Sequence, residues 1–211
     1  MKNTIRYPYQ EAPREGTFLQ VAPNIYWIRL PLPLKLDHVN VYALDDGDSW
    51  TIIDTGFDTK KTRMIWIKLL EGPLKGKPVK RVLITHYHPD HIGLAGWFQS
   101  EFGVELLTTR TSWFTARMLV LDEQEKHTTQ SLSFYERAGT PKAIYENRKK
   151  QRPFNFCDVV SPLPQGVKRV HEDETITIGK INWRIRLGNG HAPDHITLWT
   201  DDVVIGGDQL L

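Results

Sequence analysis

The chain has almost no cysteine, no long apolar run and no surplus of either charge. Its one cysteine in 211 residues, Cys157, rules out an internal disulfide and any cysteine-built zinc cluster, and fits a reducing compartment. No run of about 18 apolar residues occurs, so nothing reads as a membrane span. The opening Met1-Lys2-Asn3-Thr4-Ile5-Arg6 leads into polar, proline-containing sequence without the apolar centre of a signal peptide. The balance of 27 basic against 25 acidic side chains is too even to imply nucleic acid or an anionic membrane as partner. Internal repeats, low-complexity tracts, a nucleophile elbow and a phosphate-cradling glycine loop are all missing. These absences leave the expectation of a soluble cytoplasmic protein acting on a small molecule.

What is present is a chain of ordinary domain length with 40% hydrophobic residues, enough for a sizeable core. Its most informative stretch is Thr85-His86-Tyr87-His88-Pro89-Asp90-His91-Ile92-Gly93, directly after the apolar run Arg81-Val82-Leu83-Ile84. In an extended or tightly turned segment, side chains at i and i+2 project to the same side. His86 and His88 can therefore reach one ion together, while Asp90 and His91 point at a neighbouring position. Imidazole binds zinc at about 2.0–2.1 Å, and neutral histidine with carboxylate is a usual ligand set for a hydrolytic metal centre.

Residues 1–16 read as an irregular arm. Strand-like runs follow at Thr17 to Val21 and Ile25 to Leu30, then the proline-rich loop or edge 31–36. Val39 to Leu44 and Ser49 to Asp54, around an Asp/Gly turn, form a hairpin. Thr59 to Leu70 reads as a helix burying Met64, Ile67, Leu69 and Leu70, ended by Gly72-Pro73. Val79 to Ile84 is the strand that delivers the histidines, and Leu94 to Phe102 the helix after it. Residues 111–152 carry two or three helices without strand pattern, an insertion placed to overhang the site. The basic run Arg148 to Arg152 reads as a solvated helix end. Strands resume at Glu174 to Ile178, Ile181 to Leu187, Ile196 to Thr200 and Val203 to Ile205. Two further ligand candidates follow strands: His191, in the glycine-containing loop Gly188 to His195, and Asp208, after Gly206-Gly207. His38, His127 and His171 lie outside every motif and read as surface or satisfied core residues.

Asp54 in Ile-Ile-Asp-Thr-Gly, His86-x-His88-x-Asp90-His91, Gly-x-Gly-His191 and Gly-Gly-Asp208, in that order, resemble the metallo-β-lactamase superfamily of metal-dependent hydrolases. The resemblance covers about residues 17 to 208 outside the insertion. It implies an α/β fold, the four-layer αβ/βα sandwich, as one domain over 17–211 with the arm 1–16 before it and the insertion 111–152 within it. It also implies that His86, His88 and His191 hold one metal, Asp90 and His91 a second, and that Asp208 bridges them. Asp54 would fix a ligand histidine through its other ring nitrogen, a turn-capping role being the alternative. His195 would reach the substrate, orient a ligand, or be structural.

Cys157 lies outside the motifs, so the all-His/Asp set resembles the glyoxalase-II-like, lactonase and phosphodiesterase branches. The family completes its second metal with a later histidine, and no residue after Asp208 can serve. The chain is thus expected to be truncated at its C-terminus, with a weak second metal and an exposed apolar edge near Val203 to Ile205 that favours a homo-oligomer.

The implied function is hydrolysis of an ester-like bond: a thioester or lactone first, a lactam second. Zinc would lower the pKa of its bound water from about 15.7 toward about 7. Asp90 would orient the resulting hydroxide or take its proton, and iron or manganese suits the same ligands. A mononuclear iron dioxygenase and a metal-binding fragment without activity are the alternatives.

Overall fold

The computed structural model describes residues 5–209. The first four residues of the expected arm and the last two of the expected domain lie outside the described residues. β1 (Leu19–Ala22), β2 (Ile25–Pro31), β3 (His38–Asp45) and β4 (Trp50–Ile53) form an antiparallel meander. α1 (Lys60–Glu71) leads to β5 (Val79–Leu83), which lies parallel to β4. The short α2 (Pro89–Ile92) and α3 (Ala95–Phe102) lead to β6 (Glu105–Thr108). Three helices follow: α4 (Arg110–Leu121), α5 (Thr129–Arg137) and α6 (Lys142–Arg148). β7 (Lys168–Arg169) completes a seven-stranded mixed sheet in simple sequence order. β8 (Thr175–Ile178), β9 (Ile181–Gly188), β10 (His195–Trp199) and β11 (Val204–Ile205) make a separate antiparallel sheet of four strands.

Two apolar layers hold these parts together. One lies between the helices and the larger sheet and includes Ile28, Leu30, Val41, Ile52, Trp66, Val82 and Phe98. The other lies between the sheets, where Leu44, Ile53 and Leu83 meet Trp183, Ile185, Ile196 and Leu198. The alternation along β9, with Trp183 and Ile185 buried and Asn182 and Arg184 exposed, is the period-two pattern of a strand covered on one face. The architecture is the expected αβ/βα sandwich, with α4, α5 and α6 as its extra helices.

Several local expectations need correction. The helix α1 is capped by Thr59, whose side chain accepts from Thr62 N at 3.1 Å. Its buried face, however, is Thr62, Ile65, Trp66 and Leu69, and Met64 and Ile67 are exposed. Trp66 decides the rotation, because its indole donates to Thr55 O at 2.8 Å and packs edge-on against Phe98. The proline run enters the sheet at its first residue, since Pro31 pairs with His38. The four-residue strand β6, unassigned from the sequence, follows α3 after Gly103, whose φ of 65° caps that helix. The basic run is the solvated helix end expected, with Lys149 to Arg152 exposed and Arg152 paired at the surface with Asp158 and Glu123.

Candidate metal centre

β5 ends in the middle of the larger sheet, and the chain beyond it turns at once. Ile84 N still donates to Leu107 O of β6, while His91 N and Ile92 N donate to His88 O as α2 begins at Pro89. A proline in this first helical position loses nothing, since its N–H would have no intrahelical partner. The turn sets His86 Nε2 3.0 Å from His88 Nδ1. From the other sheet, the loop between β9 and β10 brings His191 Nε2 to 2.9 Å from His88 Nδ1. This loop is shaped by Asp194, at φ 51°, whose N–H donates to Asn189 Oδ1. Gly188 and Gly190 have no positive φ; the Gln209 side chain lies where a Cβ would be at both. Ile196 N donates to Thr85 O, tying the two loops together.

A second group forms around His91, whose Nε2 lies 3.3 Å from Asp208 Oδ2 and 3.6 Å from Asp90 Oδ2. Asp208 Oδ2 is also 3.5 Å from His191 Nε2, so it stands between the two groups. Ligand atoms of His86, His88 and His191 lie within 4.8 Å of one another, as do those of His86, His91 and Asp208. Asp90 is in neither trio, although it lines the same cavity.

Asp54 is buried behind both groups. Its Oδ1 accepts from Thr85 N, and its Oδ2 accepts from Thr85 Oγ1 and His91 Nδ1, each at 2.8 Å. With the Thr85 hydroxyl hydrogen committed to Asp54, the contact of 2.9 Å between Thr85 Oγ1 and His86 Nδ1 requires the hydrogen on that ring nitrogen. Neutral His86 then turns a bare Nε2 lone pair to the centre. Asp54 likewise takes the Nδ1 hydrogen of His91, so its buried Nε2 faces Asp208 and Asp90 and carries a proton when no ion is bound. A divalent cation in place of that proton would satisfy His91 Nε2, the bare His86 Nε2 and the neighbouring carboxylates together. The residues therefore fit a metal.

Electrostatics agree with that assignment. Burial, reinforced by the neighbouring imidazoles, pushes His86 far below the ordinary histidine value. Burial and His191 likewise depress His88. Burial opposes charge on His91, but Asp54, Asp208 and Asp90 outweigh it and raise its pKa to about 10. Burial works to raise Asp208, yet the hydrogen bond and charge of His91 hold its carboxyl below the usual range.

Three expectations change here. His195 is fully buried, stacks on His86 with ring centroids 4.5 Å apart and accepts from Asp208 N at 3.2 Å. Of its three readings, this placement fits ligand orientation and a structural role, since it backs His86 and the turn that carries Asp208. His38 is more than a surface residue, because it lines the cavity beside the cluster. The insertion contributes nothing to that lining, whereas Leu36 of the proline-rich loop does. Instead, α4 reaches the site indirectly, through a Thr111 Oγ1 hydrogen bond to Asp194 in the His191 loop. Thr85 was visible in the motif, but no local pattern marks it as the link between Asp54 and His86.

A sandwich that assembles histidines and carboxylates from both sheets at one edge defines a metal-site protein of the αβ/βα class. The Metallo-beta-lactamase superfamily model matches residues 34–211, and the chain belongs to that superfamily. It is 29% identical over 191 residues to the probable metallo-hydrolase YqjP of Bacillus subtilis, covering 89% of this chain and 57% of the relative. A second Bacillus subtilis protein, the probable metallo-hydrolase YybB, is 22% identical over 184 residues, covering 86% of this chain and 66% of that protein. The crystal structure of a β-lactamase domain protein from Burkholderia ambifaria superposes with a TM-score of 0.82 at 31% identity, covering 97% of this chain and 58% of the other. A metallo-β-lactamase family protein of Thermus thermophilus gives a TM-score of 0.72 at 26% identity, covering 91% of this chain and 61% of that one. The chain thus spans between 57% and 66% of the length of these relatives. No helix among the described residues is long and apolar enough to cross a membrane.

Proposed function

We propose that this chain carries the metal centre of a hydrolase that cleaves an ester-like bond, a thioester or lactone before a lactam, in a small organic molecule. The observation that carries the reading is the convergence of His86 Nε2, His88 Nδ1 and His191 Nε2 beside the pair His91 and Asp208. His86, His88 and His191 would hold one ion; His91 with Asp90 would hold a second, and Asp208 would serve both. Zinc is the first expectation, and iron and manganese suit the same donors. A bound ion would supply an acidified water and a Lewis acid for the carbonyl.

The protein's own contribution is orientation and proton handling. Asp54 keeps the Nδ1 hydrogens of His86 and His91 turned away from the centre, through Thr85 and directly, so that both Nε2 atoms face it. Asp90 lines the cavity with its carboxylate one-fifth exposed, a position from which it can accept the proton of the attacking water. The absence of cysteine from both ligand groups supports the glyoxalase-II-like branch within the superfamily.

Elemental analysis of the purified protein beside a His86→Ala/His88→Ala variant tests the reading at its base. Zinc that is lost in the variant, with chelator-sensitive thioester or lactone turnover in the wild type, is the expected result. Equal metal in both proteins would remove the centre. Iron with oxygen uptake would replace the hydrolase by a dioxygenase.

A further inference from the structure

The cavity beside the cluster has a volume of about 690 Å³ and two unlike walls. His88, Asp90, His191 and Asp208 make one; β3 makes much of the other. Along β3 the residues facing the smaller sheet are His38, Asn40, Tyr42 and Leu44, at alternate positions. Leu44 is buried in the layer between the sheets, Tyr42 is half-buried at its margin, and Asn40 is exposed. One strand face therefore changes from core to cavity wall where the second sheet stops covering it.

The polar groups on that wall are set in a defined direction. Asn40 Oδ1 accepts from Trp27 Nε1 at 2.8 Å, which fixes the amide orientation. Both hydrogens of its Nδ2 are then left without a protein acceptor among the described residues. The Tyr42 hydroxyl also has no hydrogen-bond partner among them. Burial and the charge of Asp54 raise the Tyr42 pKa above its ordinary value, so the hydroxyl keeps its hydrogen. Tyr42 pairs with Ile53 of β4, the residue before Asp54, which sets it beside the buried carboxylate behind the cluster. Two positions apart on the strand, the two residues have Cα atoms about 6.6 Å from each other. The remaining wall is apolar, from Leu36 and Val204.

We infer that Asn40 and Tyr42 are substrate-binding donors, and that the substrate is an ester-like compound with a second acceptor, an amide or carboxylate oxygen, beyond its scissile carbonyl. Tyr42 binds the oxygen nearer the metal centre, Asn40 binds the outer one, and the apolar wall takes the hydrocarbon. A plain aliphatic ester fills only half of this pattern and leaves the Asn40 amide to solvent. The inference rests on the hydrolase reading for the identity of the reacting bond, but the recognition it describes is a binding event that needs no turnover.

The probes are two ketones in which CH2 replaces the thioester sulfur, so that neither can be hydrolysed. One is the ketone analogue of S-hexanoyl-N-acetylcysteamine, which carries an amide. The other has the same chain length without the amide. Binding to the protein as purified is followed by NMR through the Asn40 side-chain amide resonances and by calorimetry. The amide ketone is expected to bind about 5–10-fold more tightly, the size of one hydrogen bond. Asn40→Asp still accepts from Trp27 but presents no donor, and should abolish that preference. Tyr42→Phe removes a single oxygen and should weaken both ketones about equally. Equal binding of the two ketones to the wild type, or a preference that survives Asn40→Asp, overturns the inference. Zinc-loaded protein that hydrolyses neither parent thioester, yet retains the preference between ketones, would sink the hydrolase reading alone.

Discussion

Asp54 and His91 meet at 2.8 Å in a place where both side chains are almost entirely buried, and that contact sets which nitrogen of His91 faces the centre. Asp54 achieves this from an unusual backbone position, with φ of 63°, immediately after β4. The left-handed region favours glycine, but Asn and Asp also populate it. Asp54→Asn therefore keeps a tolerated backbone and removes the charge. The expected outcome is a folded protein whose metal affinity drops about 10–100-fold. Thr85→Val cuts the link to His86 and should weaken the same binding, whereas Thr85→Ser should restore it. Competition against a chromophoric chelator measures both. Unchanged affinity in Asp54→Asn would mean that the carboxylate only caps the turn.

Proton accounting gives an independent prediction. In the metal-free protein the pKa of His91 is raised from 6.5 to about 10, so its charge stabilises the fold fully below 6.5. That contribution is lost as pH rises through about 10. Asp208 behaves oppositely: its depressed pKa adds stability above the ordinary 3.8, lost as pH falls through the folded value. Chemical denaturation of the metal-free protein should therefore show stability declining toward both ends of the pH range. A metal taking His91 Nε2 must displace its proton, so loading at neutral pH should release about one proton at that position. Calorimetry in buffers of different ionisation enthalpy reads this directly. Loading without proton release would place the metal elsewhere.

Gly93, directly after α2, is required for space, since its φ of −52° is open to any residue. A Cβ there would lie 2.4 Å from Gly56 O, 2.6 Å from Pro89 O and 2.8 Å from Val159 O. Three backbone oxygens cannot retreat as a flexible side chain can. Gly93 O also accepts from Ser161 N and Ser161 Oγ, so moving this residue disturbs a second segment. Gly93→Ala should cost about 1–3 kcal/mol, a fall of several degrees in Tm. A thermal melt of the metal-free variant that matches the wild type would show that the packing there is loose.

Much of this molecule was legible in one dimension because the relevant geometry is local. The spacing of His86 and His88 places their rings together through the i to i+2 relationship alone. The turn at Asp45 to Asp48 declares the β3–β4 hairpin, and period-two alternation declares β9. The order of Asp54, the histidine motif, His191 and Asp208 placed the chain in its superfamily before any distance was known. What the tertiary structure decided is which faces are covered. Apolar character at Met64 and Ile67 says nothing about the direction in which Trp66 turns α1. His195 looks like His191 in sequence, yet one is sealed behind His86 and the other stands at the cavity. Tyr42 and Asn40 follow the same alternation as Leu44, and only the place where the smaller sheet ends, formed by residues far along the chain, separates a cavity wall from a core. Covalent geometry sets the first kind of fact; burial, which depends on everything that packs nearby, sets the second.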